Sequence, residues 1–175
     1  MHTFEFPFSP SQQQRFRSGD LMIECATRYP MLFDDHDVAI CRNQPDYHFF
    51  EWLASVVLYE ATGYLSAVEK YETMKHTRKF TAFKQTVPHA VFDHVLANRS
   101  GVPDLFVYAA DFSDWFFCEI KGGKDCLRQH QVIRFEELEK ISSKPVAVLK
   151  FDELIRAKLV ASGKATPEKQ SNPAI

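Results

Sequence analysis

Excess basic charge is what this chain lacks first: 21 Lys and Arg against 23 Asp and Glu leave a formal net charge of −2. No global positive field marks it for a polyanion, so phosphate contacts would have to come from local patches or a bound cation. The sequence has no run of about 18 apolar residues and no basic start followed by an apolar core, so neither a membrane span nor a secretory leader is expected. Cys25, Cys41, Cys118 and Cys126 form no Cys-x-x-Cys pair. That argues against a zinc ribbon or a small disulfide scaffold and fits a reduced, cytoplasmic setting, nucleoid- or nucleus-associated in a eukaryote. The seven histidines make no ligand pair at helical spacing and read as structural. No organic cofactor is expected.

What is present is apolar mass. At 175 residues, 45% hydrophobic and with 16 Phe, the chain can bury one proper core. The expected organisation is an N-terminal arm with short helices over 1–45, a core over 46–160 and a disordered tail over 161–175. In the arm, Phe4, Phe6 and Phe8 alternate before Pro10, as a short edge strand or as anchors on an otherwise irregular segment. Asp20 to Tyr29 reads as a short helix stopped by Pro30. Asp34, Asp35 and Asp37 lack the glycine and distal glutamate of a calcium loop, so a solvated loop is expected.

From Asp46 the spacing of Phe49, Leu53, Val56 and Val57 predicts a helix with Asp46 as its N-cap. Past Gly63, Leu65, Val68 and Tyr71 continue at helical spacing. Residues 73–84 hold Lys75, Arg78, Lys79 and Lys84 without an acid, interleaved with Phe80 and Phe83. They read equally as a phosphate contact or mobile substrate loop and as a solvated loop. Val87 to Leu96 reads as helix or strand.

The chain is organised around 101–131. Leu105 to Ala110 and Trp115 to Ile120, joined by Asp111 to Asp114, predict a β-hairpin. Asp104 begins the first strand, while Glu119 and Lys121 end the second on one face, because side chains two apart in a strand point the same way. Two carboxylates and an ammonium thus converge on one edge of an apolar hairpin. Desolvating that cluster is costly unless a cation or charged ligand completes it. Carboxylate oxygens suit Mg²⁺ or Mn²⁺, which can activate a water and polarise a phosphoryl oxygen, so the chemistry implied is phosphodiester hydrolysis. Gly122 and Gly123 then give a turn where backbone can approach a phosphate. Leu127, Gln131, Phe135, Leu138 and Ile141 mark one face of a helix, and Val146 to Phe151 a buried strand that a crossover would pair in parallel. Asp152 to Leu159 reads as a closing helix.

Gly101, Pro103, Asp104, Leu105, Glu119, Ile120, Lys121, Gly122, Asp125, Leu127 and Gln131, in that order, resemble the VRR-NUC branch of the PD-(D/E)xK nucleases. The resemblance covers about a third of the chain and departs at Gly123, where many relatives carry Pro. It implies an α/β restriction-endonuclease-like core, a central mixed sheet flanked by helices. It also implies a Mg²⁺- or Mn²⁺-dependent DNA nuclease, a structure-selective endonuclease acting on junctions, flaps or similar, with Asp104, Glu119, Lys121 and Gln131 catalytic. Asp104, Glu119, the Ile120 carbonyl and a helix-borne acid would hold the metal, with Glu51 the choice for that acid and Glu60 the reserve. Lys124, Arg128, Lys75, Arg78 and Lys79 are the expected nucleic-acid contacts. A homodimer is expected on the same ground. The alternatives are a non-catalytic DNA-binding or interaction protein on the same scaffold, and a nuclease acting on RNA.

Overall fold

The computed structural model describes residues 1–68, 70–99 and 101–154. Its centre is a five-stranded sheet built from β1 (His2–Phe8), β2 (Leu65–Val68), β3 (Leu105–Tyr108), β4 (Trp115–Gly122) and β5 (Ala147–Glu153), in the order β1-β5-β4-β3-β2. β1 and β4 each pair in parallel with β5, whereas β3 pairs antiparallel with β4 and β2. The predicted hairpin forms, with Leu105 against Cys118 and Tyr108 against Trp115. Among the described residues seven helices cover the sheet: α1 (Pro10–Arg17), α2 (Asp20–Arg28), α3 (Asp35–Asn43), α4 (Phe49–Thr62), α5 (Thr77–Thr86), α6 (His89–Ala97) and α7 (Gln129–Ser142). This is the mixed α/β sheet flanked by helices that was expected.

β3 explains why its sequence is continuously apolar rather than alternating: both its faces are buried. Leu105 and Val107 pack with Phe16, Met22, Cys41, Phe49 and Trp52 from α1 to α4. Phe106 and Tyr108 pack with Phe83, Val91, Val95, Phe135 and Leu138 from α5 to α7. β4 obeys the same alternation. Cys118 and Ile120 join the first core, Trp115 and Phe117 the second, so Glu119 and Lys121 point to the α7 side.

Several local expectations are corrected. In the arm the edge-strand reading holds, since β1 takes one sheet edge with Phe8 buried in the first core, but the rest is not irregular: α1 follows, started by a Ser9–Gln12 capping box with Pro10 in the first turn. The three-aspartate stretch is a helix start, not a loop, with Asp34 and Asp37 forming the capping box of α3. α4 begins after His48, in the left-handed region at φ 70°, and not at Asp46, whose side chain pairs with Arg17 at 2.9 Å. Leu65 to Val68 is not helical. It is β2, the strand needed before the hairpin, and its start follows from the left-handed Gly63 that ends α4. Val87–Leu96 resolves as helix α6. Asp152 and Glu153 extend β5, while residues 155–159 of the expected closing helix and the expected disordered tail lie outside the described residues. Among the described residues, no helix is long and apolar enough to cross a membrane.

Candidate active site

At one end of the sheet the start of β3, the end of β4 and the first turns of α4 and α7 enclose an open cavity of about 310 Å³. Glu51, Asp104, Glu119, Lys121, Arg128 and Gln131 are among the side chains lining it. The antiparallel hairpin brings Asp104 beside the end of β4, where its Oδ2 accepts the Ile120 N–H at 2.8 Å. Tyr71 steadies the preceding residue by donating its hydroxyl to the Pro103 carbonyl at 3.0 Å. Glu119, 1% exposed, accepts at Oε1 from Lys121 Nζ at 2.7 Å and from Gln131 Nε2 at 2.6 Å. Its Oε2 is buried and has no hydrogen-bond partner. Gln131 is oriented from its other end, because its Oε1 accepts the Arg128 N–H at 3.1 Å. The amide expected on an otherwise apolar helix face is thus satisfied by a backbone donor and a carboxylate.

Glu51 reaches the cavity because α4 starts against β4. Phe50 lies on Gly122 so closely that a Cβ there would sit 2.1 Å from the ring. Phe50 is itself wedged between Phe8 and Phe151, with ring centroids 5.0 and 5.8 Å away. Any side chain at position 122 would push α4 off the strand. Glu60, the reserve, is elsewhere: it accepts from the Tyr29 hydroxyl and lies 3.7 Å from Arg28.

Charge in the cavity is unbalanced. Burial, reinforced by the Glu119 carboxylate, pushes Asp104 up to about 8 against the pull of the Ile120 N–H. Burial likewise raises Glu51, with Glu119 adding to it. Burial of Lys121 opposes its charge, but the bond to Glu119 and the surrounding carboxylates prevail and raise its pKa. One lysine therefore faces three acids that the fold has desolvated.

A hard divalent cation fits this donor set. The donors are oxygens, one buried carboxylate oxygen is orphaned, and Asp104 is held toward its neutral form by burial and by the Glu119 carboxylate. Among the described residues, no group of three or more His, Cys, Asp or Glu side chains forms a ready-made cage. Mg²⁺ does not require one, since it usually takes one or two carboxylates and keeps waters and substrate oxygens.

The expected nucleic-acid contacts divide. Arg128 lines the cavity, and His130 lies beside it. Lys124 is exposed on the β4–α7 turn and Lys75 is exposed ahead of α5. Arg78 and Lys79 are structural. Arg78 donates to the Met31 and Leu32 carbonyls at 2.8 and 3.0 Å and to Asp34 at 3.1 Å. Lys79, 4% exposed, is bound by Asp37 and the Val68 carbonyl. Sequence reasoning missed this because Asp37 lies far upstream. It also missed the Phe50–Gly122 contact, for which the paired glycines were the only signal, and the 3.4 Å approach of Lys121 to Asp125.

Scans against protein families and curated proteins find no match. Among solved structures, the chain is similar to the crystal structure of paFAN1 bound to 2-nucleotide 5′-flap DNA with a gap. Identity is 20% and the TM-score 0.37, over 82% of this chain and 24% of that one. The chain thus spans about a quarter of that protein's length, and the chemistry of the cavity has to be argued from its own residues.

Proposed function

We propose that this chain is a Mg²⁺- or Mn²⁺-dependent nuclease of the VRR-NUC kind that hydrolyses phosphodiester bonds of structured DNA. The observation carrying the proposal is the buried, partnerless Oε2 of Glu119 in a cavity shared with Asp104, Glu51 and a single buried lysine. A structural ion pair needs no such surplus of carboxylate.

Asp104 and Glu119 would hold the cation, with the Ile120 carbonyl beside them and Glu51 reaching in from α4. Bound there, the cation supplies a water of lowered pKa and polarises a phosphoryl oxygen. Lys121, kept charged by its carboxylates, stabilises negative charge on the reacting phosphate and orients the attacking water instead of taking its proton. Gln131 fixes Glu119 Oε1 and so keeps Lys121 in register. Arg128, Lys124 and the first turn of α7 favour the flanking phosphates.

The test is cleavage of labelled single strand, duplex, flap, splayed arm and four-way junction, with an RNA duplex beside them, in Mg²⁺ and in Mn²⁺. Asp104→Ala and Lys121→Ala are each expected to lower the rate by about 10³-fold or more. The preferred substrate assigns DNA or RNA and the structure selected. Binding without cutting under either metal would transfer the site to a non-catalytic nucleic-acid-binding role. Mass in solution decides the expected homodimer.

A further inference from the structure

Lys121 and Glu119 are two residues apart on one strand face, so nothing in β4 itself decides how the ammonium sits on the carboxylate. A lysine ammonium is a compact point charge that can sit on either oxygen of a carboxylate. Here it contacts only Oε1, and Oε2 is left bare. The second anchor is Asp125, whose carboxylate stands 3.4 Å from Lys121 Nζ.

Asp125 is held where it is. Its N–H closes a turn onto the Gly122 carbonyl at 3.1 Å, and its Oδ1 accepts the Cys126 N–H at 2.9 Å. Gly123 occupies the first central position of that turn at φ 61°. Proline cannot adopt that φ, and other residues adopt it only with strain. The turn that sets Asp125 is therefore built on Gly123.

We propose that Asp125 is a positioning residue: it draws the Lys121 ammonium onto one oxygen of Glu119 and keeps the other open for a divalent cation. The inference deepens the nuclease reading and rests on it for the cation. An exposed ion pair by itself contributes little. This pair differs because its lysine end is 8% exposed and its aspartate end 53% exposed. A half-solvated carboxylate is thus set to control a buried ammonium.

The experiment measures Mn²⁺ affinity from the spin-resonance signal of free Mn²⁺ for the wild type, Asp125→Asn, Asp125→Glu, Lys121→Ala and the Lys121→Ala/Asp125→Asn double variant. Thermal unfolding of each serves as a folding check. Asp125→Asn should weaken Mn²⁺ binding by about tenfold, in the range of a lost outer-shell partner, and Asp125→Glu should recover most of it. In the Lys121→Ala background the Asn substitution should change nothing, because there is no ammonium left to place. An equal loss in both backgrounds would overturn the proposal, since Asp125 would then act on the cation directly. So would an unchanged affinity in Asp125→Asn, or a wild type that binds no Mn²⁺. A wild type that binds Mn²⁺ with the predicted coupling yet cuts no nucleic acid keeps the role of Asp125 and removes the nuclease reading alone.

Discussion

Lys79 and Lys121 each meet a carboxylate in the interior, and the two pairs differ in what surrounds them. Lys79 is held by Asp37 and the Val68 carbonyl, and Asp37 is shared with Arg78 and with the cap of α3. That network ties α3 to α5 and β2. Lys121 meets Glu119 with Asp104 and Glu51 close by, and one oxygen of Glu119 is unmatched. The difference teaches how to tell a plug from a site. A buried ion pair whose polar atoms are all matched holds elements together, whereas one left with surplus charge of one sign is what the proposed cation would complete.

Substitution should break this contrast in opposite ways. Asp37→Ala strands the Lys79 ammonium and should cost about 3–5 kcal/mol of stability in urea unfolding. Glu119→Gln relieves a crowd of carboxylates and should leave the metal-free protein within about 1 kcal/mol of the wild type, or above it, while abolishing cleavage. Equal losses in the two variants would mean that both pairs are structural.

A smaller effect comes from the seam that carries Glu51 to the cavity. Gly122→Ala drives a methyl into the wedged Phe50 ring and should cost about 1–3 kcal/mol, as overpacking does. It should also weaken Mn²⁺ binding by moving the start of α4. If Mn²⁺ affinity survives while stability falls, Glu51 lies outside the cation site.

The smallest effect sharpens the comparison through pH. Asp104 gives up its proton near its ordinary value of 3.8 in the unfolded chain but only at about 8 in the fold. The unfolded state therefore binds fewer protons between those values, and the metal-free protein should lose stability as pH rises from about 4 to 8. Saturating Mg²⁺ should offset that loss, raising Tm more at pH 8 than at pH 5 by an amount on the order of 1 kcal/mol or a few degrees. A Mg²⁺ effect of the same size at both pH values would place the cation away from Asp104.

The sequence made the hairpin, α7, β5 and the meeting of Asp104, Glu119, Lys121 and Gln131 legible, because alternation and spacing act over a few residues. β2 was misleading: Leu65, Val68 and Tyr71 fit a helical period, and a four-residue strand is too short to contradict it. The role of Lys79 could not be read at all, since its partner Asp37 precedes it by more than an α-helix and a strand. His48 starting α4 in a left-handed conformation has no side-chain cap to announce it. What stayed hidden in each case is tertiary, a contact whose two halves carry no local mark.

The place of β5 in the sheet also fixes an order of assembly. Among the described residues, β1 touches the sheet only through β5, which lies between β1 and β4. During synthesis His2–Phe8 must wait, its edge unpaired, until Ala147–Glu153 has emerged and slotted against β4. Such a long-range closure is slow and leaves an aromatic edge exposed meanwhile. The hairpin bearing the carboxylates can form before either, so chemistry and closure mature at different moments. A nascent chain arrested before residue 147 would lack two strands, not one.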